Sequence, residues 1–492
     1  MAQTPNPPTA ERNDMPTMPP MIIQGGMGAA VSNWTLARAV SMQGHLGVVS
    51  GTAMDMVLVR RLWDGDPGGH CRRAIDAFPI RDIADEVLER FFRPEGSPDE
   101  KYPDLPMYQK KLRPLHERLL TLGNFVEVWL AKEGHDGLVG MNRLTKIQLP
   151  TLPSLYGAIL AGVDYILMGA GIPREIPGAL DRLARHETAT IGLDVEGLER
   201  GEVVETSFDP ADVWGDQTPV EVERPDFLAI ISQHSLATMM SKKANGRVDG
   251  FIIEAPSAGG HNAPPRGKTT YNEKGEPIYG ERDVADLEKI AALGLPFWLA
   301  GGSGTPEGLA QALDAGAAGI QVGTLFAYCE ESGLAPENRQ RVVDQAVDGT
   351  LDVLTDGRAS PTGFPFKVVQ LENTMSTEED YQARTRVCDM GYLRSMYKME
   401  GGRIGYRCAS EPVDTYVKKG GDIEETVGRK CICNGLMATI GMGQTRENGK
   451  ELPIVTSGDE VMRLGAFLEG RRSYSAKDVL EYLTSGVAAG TA

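Results

Sequence analysis

Eight short runs of uninterrupted apolar residues, each followed by an amphipathic stretch, constrain this chain more than any other feature of it. They are MIIQG (21–25), LGVVS (46–50), GLVGM (137–141), DYILM (164–168), FLAII (227–231), GFIIE (250–254), FWLAG (297–301) and GIQVG (319–323). A strand with one face in water alternates apolar and polar residues, whereas a strand covered on both faces is apolar throughout, as in a parallel sheet. Between the runs lie segments with helical periodicity, such as NWTLARAVSMQG, PREIPGALDRLARH and PEGLAQALDAG. Eight such β-then-α units predict an α/β fold, a (β/α)8 TIM barrel. A doubly wound open sheet is the alternative that strand counting leaves open.

Three stretches exceed a minimal barrel and set the expected organisation. Residues 61–136 read as a helical insertion after the second strand, 195–225 as an acidic hairpin excursion, and 331–492 as a large C-terminal extension packing on or capping the barrel. The barrel itself is expected over 21–330. Residues 1–20 are Pro-rich and polar and read as a disordered leader without a signal-peptide core. A formal charge of −18, from 50 basic against 68 acidic residues, argues against a nucleic-acid partner. The most apolar stretch is broken by Asp164 and glycines, so no membrane span is expected. Six cysteines among 492 residues do not suggest a disulfide scaffold, and a cytoplasmic protein is the default expectation.

Function concentrates where the strands end. Strand seven runs into AGGSGTPEG, with Gly301 and Gly302 letting a ligand approach the main chain, Thr305 as a helix cap and Pro306 at the first helical position. Strand eight ends in Gly323 and Thr324. Two neighbouring strand ends with small residues and free N–H groups make a phosphate cup at the usual place in a barrel. Tight strand-to-helix turns are the plainer account of the same glycines. Strand one ends in Gly25, Gly26 and Met27, and strand three carries Asn142. Bare backbone, a methionine and one amide suit a flat aromatic cofactor; core packing for Met27 and a turn role for Asn142 are the alternatives.

The segments IIQGGMG, EAPSAGGH and LAGGSGTPEGLAQALDAGAAGIQVGT, in that order, resemble the nitronate monooxygenase family, whose close relatives are FMN-dependent enoyl-acyl-carrier-protein reductases. The resemblance covers about 20–60 and 137–330, and IMP dehydrogenase-like barrels share its glycine loops. It implies a TIM barrel binding FMN, with Gly25, Gly26 and Met27 by the flavin ring and Asn142 near its polar edge. Gly301, Gly302, Gly323 and Thr324 would hold the phosphate. His261 would be the active-site histidine, placed beside the flavin by Ala258, Gly259 and Gly260. A nitronate monooxygenase would use dioxygen on a nitronate or related anionic substrate. An enoyl reductase would draw on NAD(P)H as reductant. A barrel without chemistry, serving as a binding or scaffold subunit, is the reading from another class.

After the histidine the chain departs from the family, continuing HNAPPRGKTTYNEKGEPIYGERD. Arg266 and Lys268 there are candidates to hold an anionic substrate, set against a plain solvated loop tip. Four cysteines of the extension, Cys388, Cys408, Cys431 and Cys433, raise zinc or an iron–sulfur centre. Their spacing fits no ligand pattern, so buried thiols and no metal are expected. The expected partners are a small-molecule substrate and dioxygen, and a homo-oligomer is compatible with the sequence.

Overall fold

The computed structural model describes residues 18–97, 100–447 and 449–486. Most of the expected leader, residues 1–17, lies outside that range. Eight parallel strands form one sheet: β1 (Ile22–Gln24), β2 (Gly47–Ser50), β3 (Val139–Leu144), β4 (Tyr165–Gly169), β5 (Asp226–Ile231), β6 (Gly250–Glu254), β7 (Phe297–Ala300) and β8 (Gly319–Val322). Their spatial order is β1-β8-β7-β6-β5-β4-β3-β2. The circle closes between β1 and the start of β2, where the Gln24 N–H donates to the Leu46 carbonyl at 2.9 Å and the Leu46 N–H to the Ile22 carbonyl at 3.1 Å. This is the expected TIM barrel, and the open-sheet alternative falls away because both edges are paired.

The continuous apolar runs follow from burial on two faces. Ile23, Val48, Leu167, Leu228, Ile252 and Trp298 point into the barrel and pack together. Their strand neighbours, including Ile22, Val49, Ile166, Phe227, Phe251 and Phe297, belong to the larger core under the helices. Each fully buried aliphatic or aromatic side chain contributes roughly 1.5–3 kcal/mol. Trp298 also needs a partner for its ring N–H, and the Pro20 carbonyl accepts it at 2.7 Å. The segment just before β1 is thereby held to the barrel interior.

The outer layer comprises α1 (Trp34–Ser41), α2 (Met54–Trp63), α3 (Pro114–Lys132), α4 (Thr151–Leu160), α5 (Ile176–Leu183), α6 (His234–Lys243), α7 (Leu287–Ala291) and α8 (Pro306–Asp314). The stretch after β2 is helical, as expected, and its longest helix does more than decorate: α3 packs against α1, α2 and α4 and so belongs to the barrel's own wall. The excursion after α5 starts earlier than its acidic composition suggested, with Ala189–Gly192 pairing antiparallel to Glu205–Phe208.

The C-terminal extension both completes and covers the barrel. Its last described helix, α9 (Ala476–Thr484), opens on a Ser475–Asp478 capping box and lies against α1 and α8. There it takes the place of the outer helix that would follow β8. The rest crosses the mouth at the C-terminal ends of the strands. It is anchored by Tyr392, whose hydroxyl donates to buried Asp55 of α2 at 2.9 Å while Tyr108 donates to the other carboxylate oxygen at 2.5 Å. Two extension strands, β9 (Val353–Asp356) and β10 (Phe366–Val369), pair antiparallel. A β-bridge joins Phe366 to His261, with the Lys367 N–H donating to the Gly260 carbonyl and the Asn262 N–H to the Pro365 carbonyl, both at 3.0 Å. Among the described residues, no helix is long and apolar enough to cross a membrane.

Candidate functional site

The strand ends meet around a cavity of about 220 Å³ at the barrel mouth. Gly25, Gly26, Met27, Asn142, Gly259, Gly260, His261, Gly301, Gly323 and Thr324 all line it. Gly302 sits one residue behind the wall, in a left-handed turn with φ +83° beside the Ser257 side chain. Arg266 lines a second cavity, of about 290 Å³, and Lys268 lines neither.

Two glycines are required by geometry. At Gly26 a Cβ would stand 2.2 Å from the Asn142 Cβ, and the Asn142 Nδ2 donates to the Gly26 carbonyl at 3.1 Å. Gly301 has φ +78°, and a Cβ there would reach 2.9 Å from the Ala258 backbone nitrogen. The β7 and β6 loops therefore touch through bare main chain. Thr305 caps α8 as expected, accepting from the Gly308 N–H at 3.0 Å.

The cup has the donors an anion needs. Among the described residues, the N–H groups of Gly301, Gly302, Gly323 and Thr324 meet no backbone or side-chain acceptor. Asn142 Oδ1 and Gln321 Oε1 are likewise buried without a donor, and both residues line the cavity. Unpaired buried polar groups cost about 1–3 kcal/mol each, so a cavity edged with them is built for a polar occupant. Phosphate at the amides and a heterocycle with both donors and acceptors at the two amide side chains match this set, and an FMN-like molecule fits the residues present.

Sequence reasoning missed the loop 456–460, which the extension lays over the cup. The Gly260 N–H donates to Thr456 Oγ1 at 3.0 Å, the Gly458 N–H to Thr324 Oγ1 at 3.2 Å, and the Gly304 N–H to Glu460 Oε1 at 2.5 Å. Lys367, itself buried, fixes the loop through a 2.6 Å contact from Nζ to Asp459 Oδ1. Burial raises the Glu460 carboxyl above its ordinary range, and the Gly304 N–H only partly offsets that.

His261 stands in the partition between the two cavities and lines both. Its Nε2 is 2.7 Å from Ser360 Oγ, and its ring meets Phe366 edge-on at 4.8 Å between centroids. Burial first, and then the nearby Lys146 charge, push its pKa down to about 3. The ring is neutral at any physiological pH. Glu254, at the end of β6, borders both cavities too, and burial pushes its carboxyl up to about 7. Its one sequence signal was a charge closing the apolar run GFIIE.

The cavity's far wall comes from the extension: Met390, Tyr392, Leu393, Ile432, Cys433 and Leu436. The four extension cysteines converge, since Cys408, Cys431 and Cys433 all raise the Cys388 thiol. All are free thiols. Among the described residues, no group of three or more His, Cys, Asp or Glu is arranged to hold a metal ion.

Residues 192–364 match the nitronate monooxygenase family model. A Mycobacterium tuberculosis protein, (3aS,4S,5R,7aS)-5-hydroxy-7a-methyl-1-oxo-octahydro-1H-indene-4-carboxyl-CoA dehydrogenase, is 28% identical over 173 residues, 35% of this chain and 44% of that one. A probable nitronate monooxygenase of Bacillus subtilis is 31% identical over 113 residues, 23% of this chain and 30% of that one. The chain thus spans less than half the length of these curated relatives. Among solved structures, FabK from Thermotoga maritima is similar at 15% identity and TM-score 0.48, covering 95% of this chain and 92% of that one. Nitroalkane oxidase from Streptomyces ansochromogenes is similar at 14% identity and TM-score 0.46, covering 96% of each chain.

Proposed function

We propose, from the premise that residues 192–364 form a nitronate monooxygenase-type segment, that this protein is an FMN-dependent oxidoreductase that reduces an activated acyl substrate, drawing its electrons from NAD(P)H. The observation that carries the reading is the shared partition. His261 and Glu254 border both an anion-ready main-chain cup and a second cavity lined by Ile172, Ile231, Leu236 and Phe364 that ends at exposed Arg266. A small nitronate does not need the apolar passage. The carboxyl-CoA in the name of the Mycobacterium tuberculosis relative, a dehydrogenase, supports an acyl-thioester substrate though not the direction of electron flow.

Gly301, Gly302, Gly323 and Thr324 would hold the FMN phosphate, and Gly25, Gly26, Met27 and Asn142 would bound its ring. FMN supplies the reversible acceptance and release of a hydride equivalent. The chain itself positions the acyl group against Leu393, Ile432 and Leu436, which exclude water. Arg266, whose Nη2 now reaches Ser235 Oγ at 3.3 Å, turns to a phosphate of the acyl carrier. Lys268 adds positive charge at the loop tip. Neutral His261 moves a proton at the carbon beside the thioester carbonyl.

Anaerobic mixing tests this directly. NADPH should bleach the flavin, and crotonyl-CoA should then restore its absorbance. Bleaching by the nitronate of nitroethane, with none by NADPH, would instead support the monooxygenase reading, for which the Bacillus subtilis relative speaks. A protein that takes up no FMN would defeat both.

A further inference from the structure

A histidine whose ring is this hard to protonate is a poor base when it acts alone. Taking a proton from carbon would leave an imidazolium where burial and a lysine both oppose it. The hydroxyls behind the ring remove that difficulty. Ser360 Oγ, 2.7 Å from His261 Nε2, is 2.8 Å from Thr362 Oγ1, which in turn is 3.5 Å from Lys146 Nζ. Ser360 is fully buried, and the Thr362 N–H also donates to its Oγ at 3.2 Å, so the serine is held in line. Lys146 follows β3, and its Nζ stands over the Phe364 ring. The chain of atoms thus joins a barrel loop, the extension and the histidine loop.

We propose that Lys146 is the proton reservoir of the site, exchanging protons with His261 through the hydroxyls of Thr362 and Ser360. The proposal rests on the oxidoreductase reading for the reaction it serves, but not for the relay itself. In the reductive direction, His261 Nδ1–H gives its proton to the carbon beside the thioester carbonyl, whose electron pair forms the new C–H bond. In the same concerted step Nε2 takes the Ser360 proton, Ser360 takes that of Thr362, and Thr362 takes one from the Lys146 ammonium, leaving a neutral amine. The imidazole changes tautomer and never carries charge. Run backwards, the same chain removes a proton from carbon and stores it on Lys146.

The groups around the reservoir suit the task. Burial alone lowers the Lys146 pKa, to about 7, and the titratable group it faces is His261, on which it acts in turn. Arg429 donates from Nη1 to the Ser360 carbonyl at 2.6 Å and keeps a fixed positive charge at the far end of the relay. A lysine of this kind exchanges its proton near neutrality.

The tautomer switch is observable. In holoenzyme labelled with 15N at histidine and lysine, the His261 resonances, assigned with His261→Gln, should exchange Nδ1–H for Nε2–H character as pH rises through about 7. Their midpoint should coincide with that of Lys146. Thr362→Val should abolish the His261 inflexion while Lys146 still titrates, and Thr362→Ser should restore it. Lys146→Met should freeze the ring in one tautomer and lower kcat for crotonyl-CoA reduction at least tenfold with KM within twofold. A His261 inflexion unaffected by Thr362→Val, or an imidazolium signal near neutrality, would overturn the relay. Failure of the functional reading shows separately as a preparation that takes up no FMN, in which the histidine spectrum still decides.

Discussion

The two walls of the cavity are built from different materials. On the barrel side, at 25–26, 301 and 323–324, the surface is largely main chain and small residues, with unpaired N–H groups at 301–302 and 323–324. On the extension side, at Met390, Leu393, Ile432 and Leu436, it is apolar side chain, held in register by Tyr392 on Asp55. Main chain is the same whatever the sequence, so a wall of it can grip a phosphate and a ring that many proteins share. Side chains vary freely, so on the proposed reading the opposite wall would tell one substrate from another. The division of labour on that reading is physical: the cofactor would meet backbone and the substrate would meet side chains.

The largest effect should come from breaking the backbone wall. Gly301→Val puts a branched side chain at φ +78° and against the Ala258 nitrogen, and the Kd for FMN should rise about 100-fold, roughly 3 kcal/mol, with flavin lost on dialysis. Retention of full flavin would mean that this wall does not set cofactor binding. Next, Leu393→Trp fills the opposite wall and should lower kcat/KM for an acyl-CoA about tenfold, some 1.4 kcal/mol, with flavin content unchanged. Loss of flavin there would show that the two walls are not separable.

A smaller effect separates function from stability. Lys146 has a folded-state pKa of about 7, below that of the unfolded chain, so its burial costs stability wherever the unfolded chain holds that proton. Lys146→Met should therefore melt a few degrees higher than the parent, with the gain fullest below pH 7 and fading as pH climbs toward 10.5. Calorimetry across that range checks the sign. The least effect is expected at Glu460, whose carboxyl lines the cavity where the proposed phosphate would sit. Its raised pKa lets it go neutral more readily, so Glu460→Gln should tighten FMN binding a few-fold, most at high pH where the parent is ionised. Fluorescence titration of the apoprotein reads this.

The barrel and its mouth were legible because their signals are local. Continuous apolar runs report burial on both faces, and a glycine pair directly after a strand marks the strand's open end. Gly25, Gly26, His261, Gly301 and Gly323 could thus be placed from the string alone, and one cavity collects them. Lys146, Ser360, Thr362 and the loop 456–460 gave no such signal. Each is an ordinary residue in its own neighbourhood and gains meaning only from partners about 100 or 200 positions away, such as Ser360 opposite His261 and Thr456 beneath Gly260. Glu254 lies between these cases, visible as an acid ending a strand but not as a neighbour of two cavities.

The placement of α9 between α1 and α8 bears on how the molecule is made. A nascent chain that has emerged from the ribosome only through β8 has every strand it needs, yet a seam between its first and last outer helices stays unsealed. On the proposed reading, flavin capture should then wait until α9 has been made and has packed into that seam. A chaperone that shields that seam would act on the same interval.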